Sequence, residues 1–126
     1  MSGPARAVRG LVWERDGGAC AWCGCPVREG EHSLQHRRAR GMGGTRRADA
    51  NSPANLVLVC GSGTTLCHGW VEAHPGEAER RGFRLRQWAD PVEVPVLWAG
   101  GVWVRLGHDG SWEAPRRWRA SPTEGD

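Results

Sequence analysis

Val8, Leu11 and Val12 recur at i, i+3 and i+4 spacing, with Arg9 and Arg15 on other faces, and this period predicts a short helix over Arg6 to Asp16. Gly17-Gly18 supplies its stop. A tight turn follows, Cys20-Ala21-Trp22-Cys23-Gly24-Cys25, and Ser33 to His36 reads as extended. Arg37 to Pro53 is polar and aperiodic, as expected of a long ordered loop, which in small domains commonly carries function. The apolar, β-branched run Asn55 to Cys60 predicts a buried strand. Gly61-Ser62-Gly63 is a turn, and Leu66 to Ala73 a short helix. His74-Pro75 breaks that helix, and Pro75 opens a second one through Arg81, stopped by Gly82. Val92 to Trp98 and Val102 to Leu106 predict two strands of a hairpin joined by Ala99-Gly100-Gly101. A turn at His108-Asp109-Gly110 leads to a short strand near Trp112, and a disordered polar tail is expected over 120–126.

The pattern is that of an α+β protein. Its 126 residues suit one domain over 1–119, with a core over about 15–73 and a C-terminal helix and hairpin over about 75–113. A domain of this size buries little apolar surface and benefits from a metal staple. With 19 glycines and 8 prolines much of the chain must be turn, while 8 tryptophans supply apolar packing.

Charge narrows the class of partner. The formal net charge is +3, and between Met1 and Arg47 nine arginines face four acids (Glu14, Asp16, Glu29, Glu31). Such a basic half suits a polyanion. No stretch approaches the roughly 20 apolar residues of a membrane span, and MSGPARAVRG has no signal-peptide core. A cytoplasmic location without a membrane partner is the expectation. Five cysteines in that compartment point to metal ligation in preference to disulfides.

Cys20 and Cys23, two residues apart, can grip one tetrahedral Zn2+ from a single turn. Cys60 and Cys67 complete a structural four-thiolate set, and the flexible Gly61 to Thr65 insert accommodates their longer separation. Cys25 reads as a plain buried thiol or an alternative to Cys23, and His32 is a further candidate ligand.

Three segments then align: Leu34-Gln35-His36-Arg37-Arg38, Asn55-Leu56-Val57-Leu58 and Cys67-His68-Gly69-Trp70. With RDGGACAWCG before the first histidine, RGMGG in the loop and NLVLVCGSGTTLCHGW after it, the stretch from about Arg15 to Ala73 resembles the HNH endonuclease family. The small zinc-containing proteins of phages and prophages are the nearest in style. The resemblance implies a ββα-metal core. In it His36 is the general base, Asn55 braces the loop and orients that base, and His68 is a ligand of the catalytic metal. Gln35 stands where the family has Asp or His as second ligand; its neutral oxygen would bind a hard cation more weakly, with Asp49 a candidate helper. DNA hydrolysis needs an activated water, an electrophile at phosphate and a stabilised leaving oxygen. An imidazole supplies the first near neutral pH, and Mg2+, Mn2+ or Ni2+ the others. The implied products are a 5′-phosphate and a 3′-hydroxyl.

Arg37, Arg38, Arg40, Arg46 and Arg47 occupy the loop after His36 and are the expected DNA contacts, with Arg37 or Arg40 stabilising the pentavalent phosphate. Trp88, Trp98, Trp103 and Trp112 read as core packing, with base stacking the alternative. His74 and His108 receive no role, and Arg116, Arg117 and Arg119 belong to a solvated tail. The implied partners are DNA and, by the phage resemblance, terminase or portal proteins of a packaging machine. A competing class is a noncatalytic zinc-finger-like nucleic-acid-binding module, in which His36 would be incidental.

Overall fold

The computed structural model describes residues 4–28, 30–39 and 49–113. Helix α1 (Arg6–Asp16) has the predicted bounds. Gly17, in the left-handed conformation at φ 67°, closes it by donating to the carbonyls of Glu14 and Trp13. Strands β1 (His32–His36) and β2 (Leu56–Cys60) follow, with a single 3-10 turn, Pro53–Asn55, leading into β2. Asn55 therefore sits just before the strand it was expected to open. Helices α2 (Leu66–Ala73) and α3 (Pro75–Arg80) come next, then strands β3 (Val96–Trp98), β4 (Val102–Leu106) and β5 (Trp112–Glu113). Among the described residues this is a small α+β architecture with three helices and two small antiparallel sheets, β1-β2 and β3-β4-β5.

The β1-β2 pairing sets His32 opposite Cys60, Leu34 opposite Leu58 and His36 opposite Leu56. Leu56 and Leu58 pack with Val12 of α1 and with Leu34. Val57 and Val59 turn to the other face, where they join Val71, Ala78, Phe83, Val96, Val104 and Leu106. Covered on both faces, β2 carries an unbroken apolar run in place of the alternation of a half-exposed strand.

Polar clasps fix this packing. The Arg15 guanidinium donates to the carbonyls of Pro53 and Leu56, each at 2.7 Å. Its neighbour Asp16 accepts from the Leu58 amide at 2.9 Å. Burial raises the Asp16 carboxyl above the usual carboxylate range, although Arg15 and the Leu58 amide oppose this. Gly82 ends α3 at φ +80°, and a Cβ there would lie 2.0 Å from the Pro95 carbonyl, so only glycine lets α3 approach the second sheet.

Two expectations change here. The strand foreseen from Val92 begins only at Val96, because Pro91 to Val94 form a turn. Nor are all the tryptophans packed inside: Trp98 packs on the core, but Trp112 and above all Trp88 are exposed. The calls on Arg116, Arg117, Arg119 and 120–126 lie outside the described residues. Among the described residues no helix is long and apolar enough to cross a membrane.

Candidate metal centre and its polar neighbourhood

The Cys20–Cys25 turn closes on itself through Cys20 N to Cys25 O at 2.9 Å and Gly24 N to Cys20 O at 2.8 Å. It is pinned to β2 by Ala21 N donating to Leu58 O at 2.8 Å. Cys60 ends β2 and Cys67 lies in the first turn of α2. Gly61, at φ +88°, makes the reversal between them; a Cβ there would sit 2.3 Å from the Thr65 carbonyl. The sulfurs of Cys20, Cys23, Cys60 and Cys67 consequently lie within 4.8 Å of one another.

Tetrahedral zinc with bonds of about 2.3 Å needs sulfurs about 3.8 Å apart, so the cluster requires only a small contraction to hold a metal such as zinc. Its electrostatics agree. Burial opposes ionisation of Cys23, but the Cys25 amide and the thiols of Cys20, Cys67 and Cys25 outweigh it and bring its pKa to about 7. Burial raises Cys20 and Cys67, and at Cys67 the neighbouring thiols raise it further. Cys23 gives up its proton easily while Cys20 and Cys67 hold theirs, the behaviour of a site that wants a cation. The fifth thiol corrects an expectation, since Cys25 is exposed and hydrogen-bonded to Cys23 where a buried thiol was foreseen. His32 turns away from the cluster, with its Nδ1 bonded to Arg28 O at 2.8 Å and its ring against Trp13.

The polar neighbourhood lies beside β1. The Ser33 hydroxyl donates to Gly61 O at 2.8 Å and lies 2.5 Å from His68 Nδ1. With its one hydrogen spent on the carbonyl, Ser33 accepts from His68, which fixes the proton on Nδ1 and leaves Nε2 as the ring's acceptor nitrogen. That Nε2 is 3.7 Å from a Glu72 carboxylate oxygen. Burial lowers the His68 pKa; Glu72 opposes this, and the charge of nearby His36 adds to it. A neutral imidazole and a carboxylate thus face one another, a donor pair that suits a cation. Gln35, 3% exposed, donates from Nε2 to Phe83 O at 2.8 Å. Its Oε1 is buried without a hydrogen-bond partner among the described residues, an orphaned oxygen that a metal ligand role would satisfy.

His36 is half-buried, and Asn51 Oδ1 accepts from its Nε2 at 2.8 Å, so Nδ1 is the basic nitrogen of the neutral ring. Asn55 is fully buried. Its Oδ1 accepts from Arg38 N at 2.8 Å, and its Nδ2 donates to Arg38 O and Ala50 O. Both ends of the chain between His36 and β2 are therefore tied to one amide.

Arg37 and Arg38 do not serve as foreseen. Arg37 is 0% exposed, and its guanidinium donates to the carbonyls of Gly82, Ala54, Pro91 and Val94 at 2.6–2.8 Å. Every arm is spent on the fold, so it has none for phosphate. Burial, with Arg15 nearby, lowers its pKa to about 9, still charged at neutral pH. Arg38 is buried too, donating to Ala89 O and paired with Asp49. Arg40, Arg46 and Arg47 lie outside the described residues. Asp49 is grouped with Asp90 and His108, their ligand atoms within 4.8 Å of one another. Sequence reasoning missed Ser33, Asn51 and Glu72. Only Glu72 left a signal, its i+4 spacing from His68 on a helix. Comparison with protein-family models, with curated proteins and with solved structures yields no match to this chain.

Proposed function

We propose that the chain is a zinc-stapled, metal-dependent endonuclease of the HNH type that hydrolyses DNA phosphodiester bonds. One observation carries this. Asn55 clamps the chain just beyond His36, while on α2 His68 is held at Nδ1 by Ser33 and has the Glu72 carboxylate beside its Nε2. These contacts support reading His36, Asn55 and His68 as base, brace and ligand.

In this role His36 takes a proton from the attacking water at Nδ1, while Asn51 holds the proton on Nε2. Asn55 keeps the backbone after His36 rigid. His68 Nε2, the orphaned Gln35 Oε1 and the Glu72 carboxylate are the groups that would hold the divalent cation. When bound, that cation supplies Lewis-acid stabilisation of the phosphate and leaving oxygen. Glu72 offers the negative charge that Gln35 lacks. The four cysteines are assigned a structural zinc. DNA remains the expected partner, with terminase or portal proteins the proposed assembly.

The test is nicking of supercoiled plasmid with Mg2+, Mn2+ or Ni2+. Wild type is expected to convert circles to nicked or linear form. His36→Ala should bind DNA and not cut. Equal cutting by both, or cutting by neither with any metal, would transfer the protein to the class of noncatalytic zinc-finger-like binding modules.

A further inference from the structure

Trp88 is the most exposed large apolar side chain among the described residues, at 78%. It stands on a segment anchored on both sides. Phe83 and Leu85 are buried, and Leu85 N donates to Arg37 O at 2.7 Å. Gln87 Nε2 donates to Ala39 O at 2.7 Å, and Ala89 O accepts from Arg38. The segment thus runs alongside Arg37 to Ala39, the chain that leaves His36. A groove of about 400 Å³ opens here, lined by Ala39, Glu79, Arg84, Arg86, Gln87 and Trp88. Arg86 is paired with Glu79, whereas Arg84 is exposed and makes no ion pair among the described residues.

We propose that Trp88 is a stacking platform for an unpaired nucleobase of a DNA strand, with Arg84 on the adjoining phosphate. At 78% exposure the indole keeps most of its surface available to a ligand. Its backbone is already ordered, so little entropy is lost when a flat ring lands on it. A base within a duplex has both faces covered by its neighbours, so the platform selects single-stranded or locally opened DNA. Arg84 supplies the complementary charge. The proposal rests on the endonuclease reading for the identity of the partner and adds the class of DNA preferred.

The experiment reads binding alone. Fluorescence anisotropy of the full chain, without added divalent cation, is measured on a labelled single-stranded oligonucleotide and on the matching blunt duplex. Wild type is expected to favour the single strand. Trp88→Ala should lose about ten- to hundredfold of single-strand affinity, the range for loss of one base–aromatic stack. Duplex affinity should stay unchanged, and Trp88→Phe should recover most of the loss. Arg84→Ala should reduce the salt slope on the single strand by about 0.7. A 2-aminopurine in the strand should be quenched by wild type and not by Trp88→Ala. The proposal is overturned if wild type does not bind the single strand, if Trp88→Ala leaves its affinity unaltered, or if that variant weakens single strand and duplex alike. It is equally overturned if Trp88→Phe is as weak as Trp88→Ala. Plasmid nicking against His36→Ala is scored separately, so failure of the endonuclease reading leaves a distinct record from failure of the stack.

Discussion

Cys67 and His68 are consecutive residues of α2, yet they serve neighbourhoods of opposite chemistry. Cys67 faces three other thiols, a soft ligand set drawn from two rigid segments with no position left over. His68 faces a serine and a carboxylate, and the Gln35 oxygen proposed to join them is neutral. The first arrangement could hold a metal such as zinc and suits a closed site. The second is a partial set with harder donors, the kind that leaves room for water and substrate. On the proposed reading one helix turn joins a fixed point to a working one, and the rigidity of the first would set the precision of the second.

The strongest way to break this contrast is to remove the staple. One tightly held zinc per chain is expected from elemental analysis, and Cys20→Ser should lose both the metal and the folded state. Structural zinc contributes about 10–16 kcal/mol of apparent binding free energy in small domains, comparable to or above the whole stability of an ordinary one. Cys25→Ser should keep the zinc and the fold, because Cys25 is exposed and outside the group of four. Folded protein without zinc would remove the structural half of the comparison.

Next in size is the effect of His36→Ala on cleavage. Loss of a positioned base should lower the nicking rate about 10²- to 10⁴-fold, with zinc content and thermal midpoint unchanged. Brief exposure to EDTA should likewise stop cleavage while protein-bound zinc persists, and fresh Mg2+ or Mn2+ should restore it. Simultaneous loss of zinc and activity would show that the two neighbourhoods are one site.

Arg37→Met should cost about 3–5 kcal/mol of unfolding free energy, read from urea midpoints, because it leaves four carbonyls without their shared donor. Its DNA affinity, measured on the folded fraction, should match wild type. A normal urea midpoint with weakened DNA binding would restore the phosphate role for Arg37.

This residue also marks where sequence reasoning stops. Local pattern made α1, β2 and α2 legible, since a 3.6-residue period, a β-branched run and glycine stops are carried by neighbours in the chain. Two cysteine pairs were legible for the same reason. Arg37 lies in a polar, glycine-rich stretch that reads as a DNA-facing loop. Its four acceptors come from residues 54 to 94, and nothing local announces them. Val92 to Val94, part of the turn that Pro91 opens, read as strand because Val92, Val94 and Val96 alternate. The carbonyls of Pro91 and Val94 instead serve Arg37. Ser33 was invisible because a serine in a strand carries no chemical signature until a partner reaches it.

The smallest expected effect sharpens the working side of the comparison through that serine. Ser33→Ala removes the acceptor that holds the His68 proton on Nδ1, so the tautomer presenting Nε2 loses its advantage. Loss of such an outer contact typically weakens metal affinity about 10- to 100-fold, which a Mn2+ titration followed by electron paramagnetic resonance would read. The same titration against pH tests the charge of the ring. Burial holds the folded His68 pKa below the ordinary histidine value of 6.5. Above that value the ring is neutral in folded and unfolded chains alike, and its contribution to stability is fully in place. As pH falls below it the unfolded chain takes up the proton first, so stability declines until the folded ring is protonated too. Mn2+ affinity should therefore hold steady down to the ordinary histidine range and fall only below it. A midpoint at or above that range would mean that His68 is charged when the protein works, and a cationic imidazole cannot be the ligand.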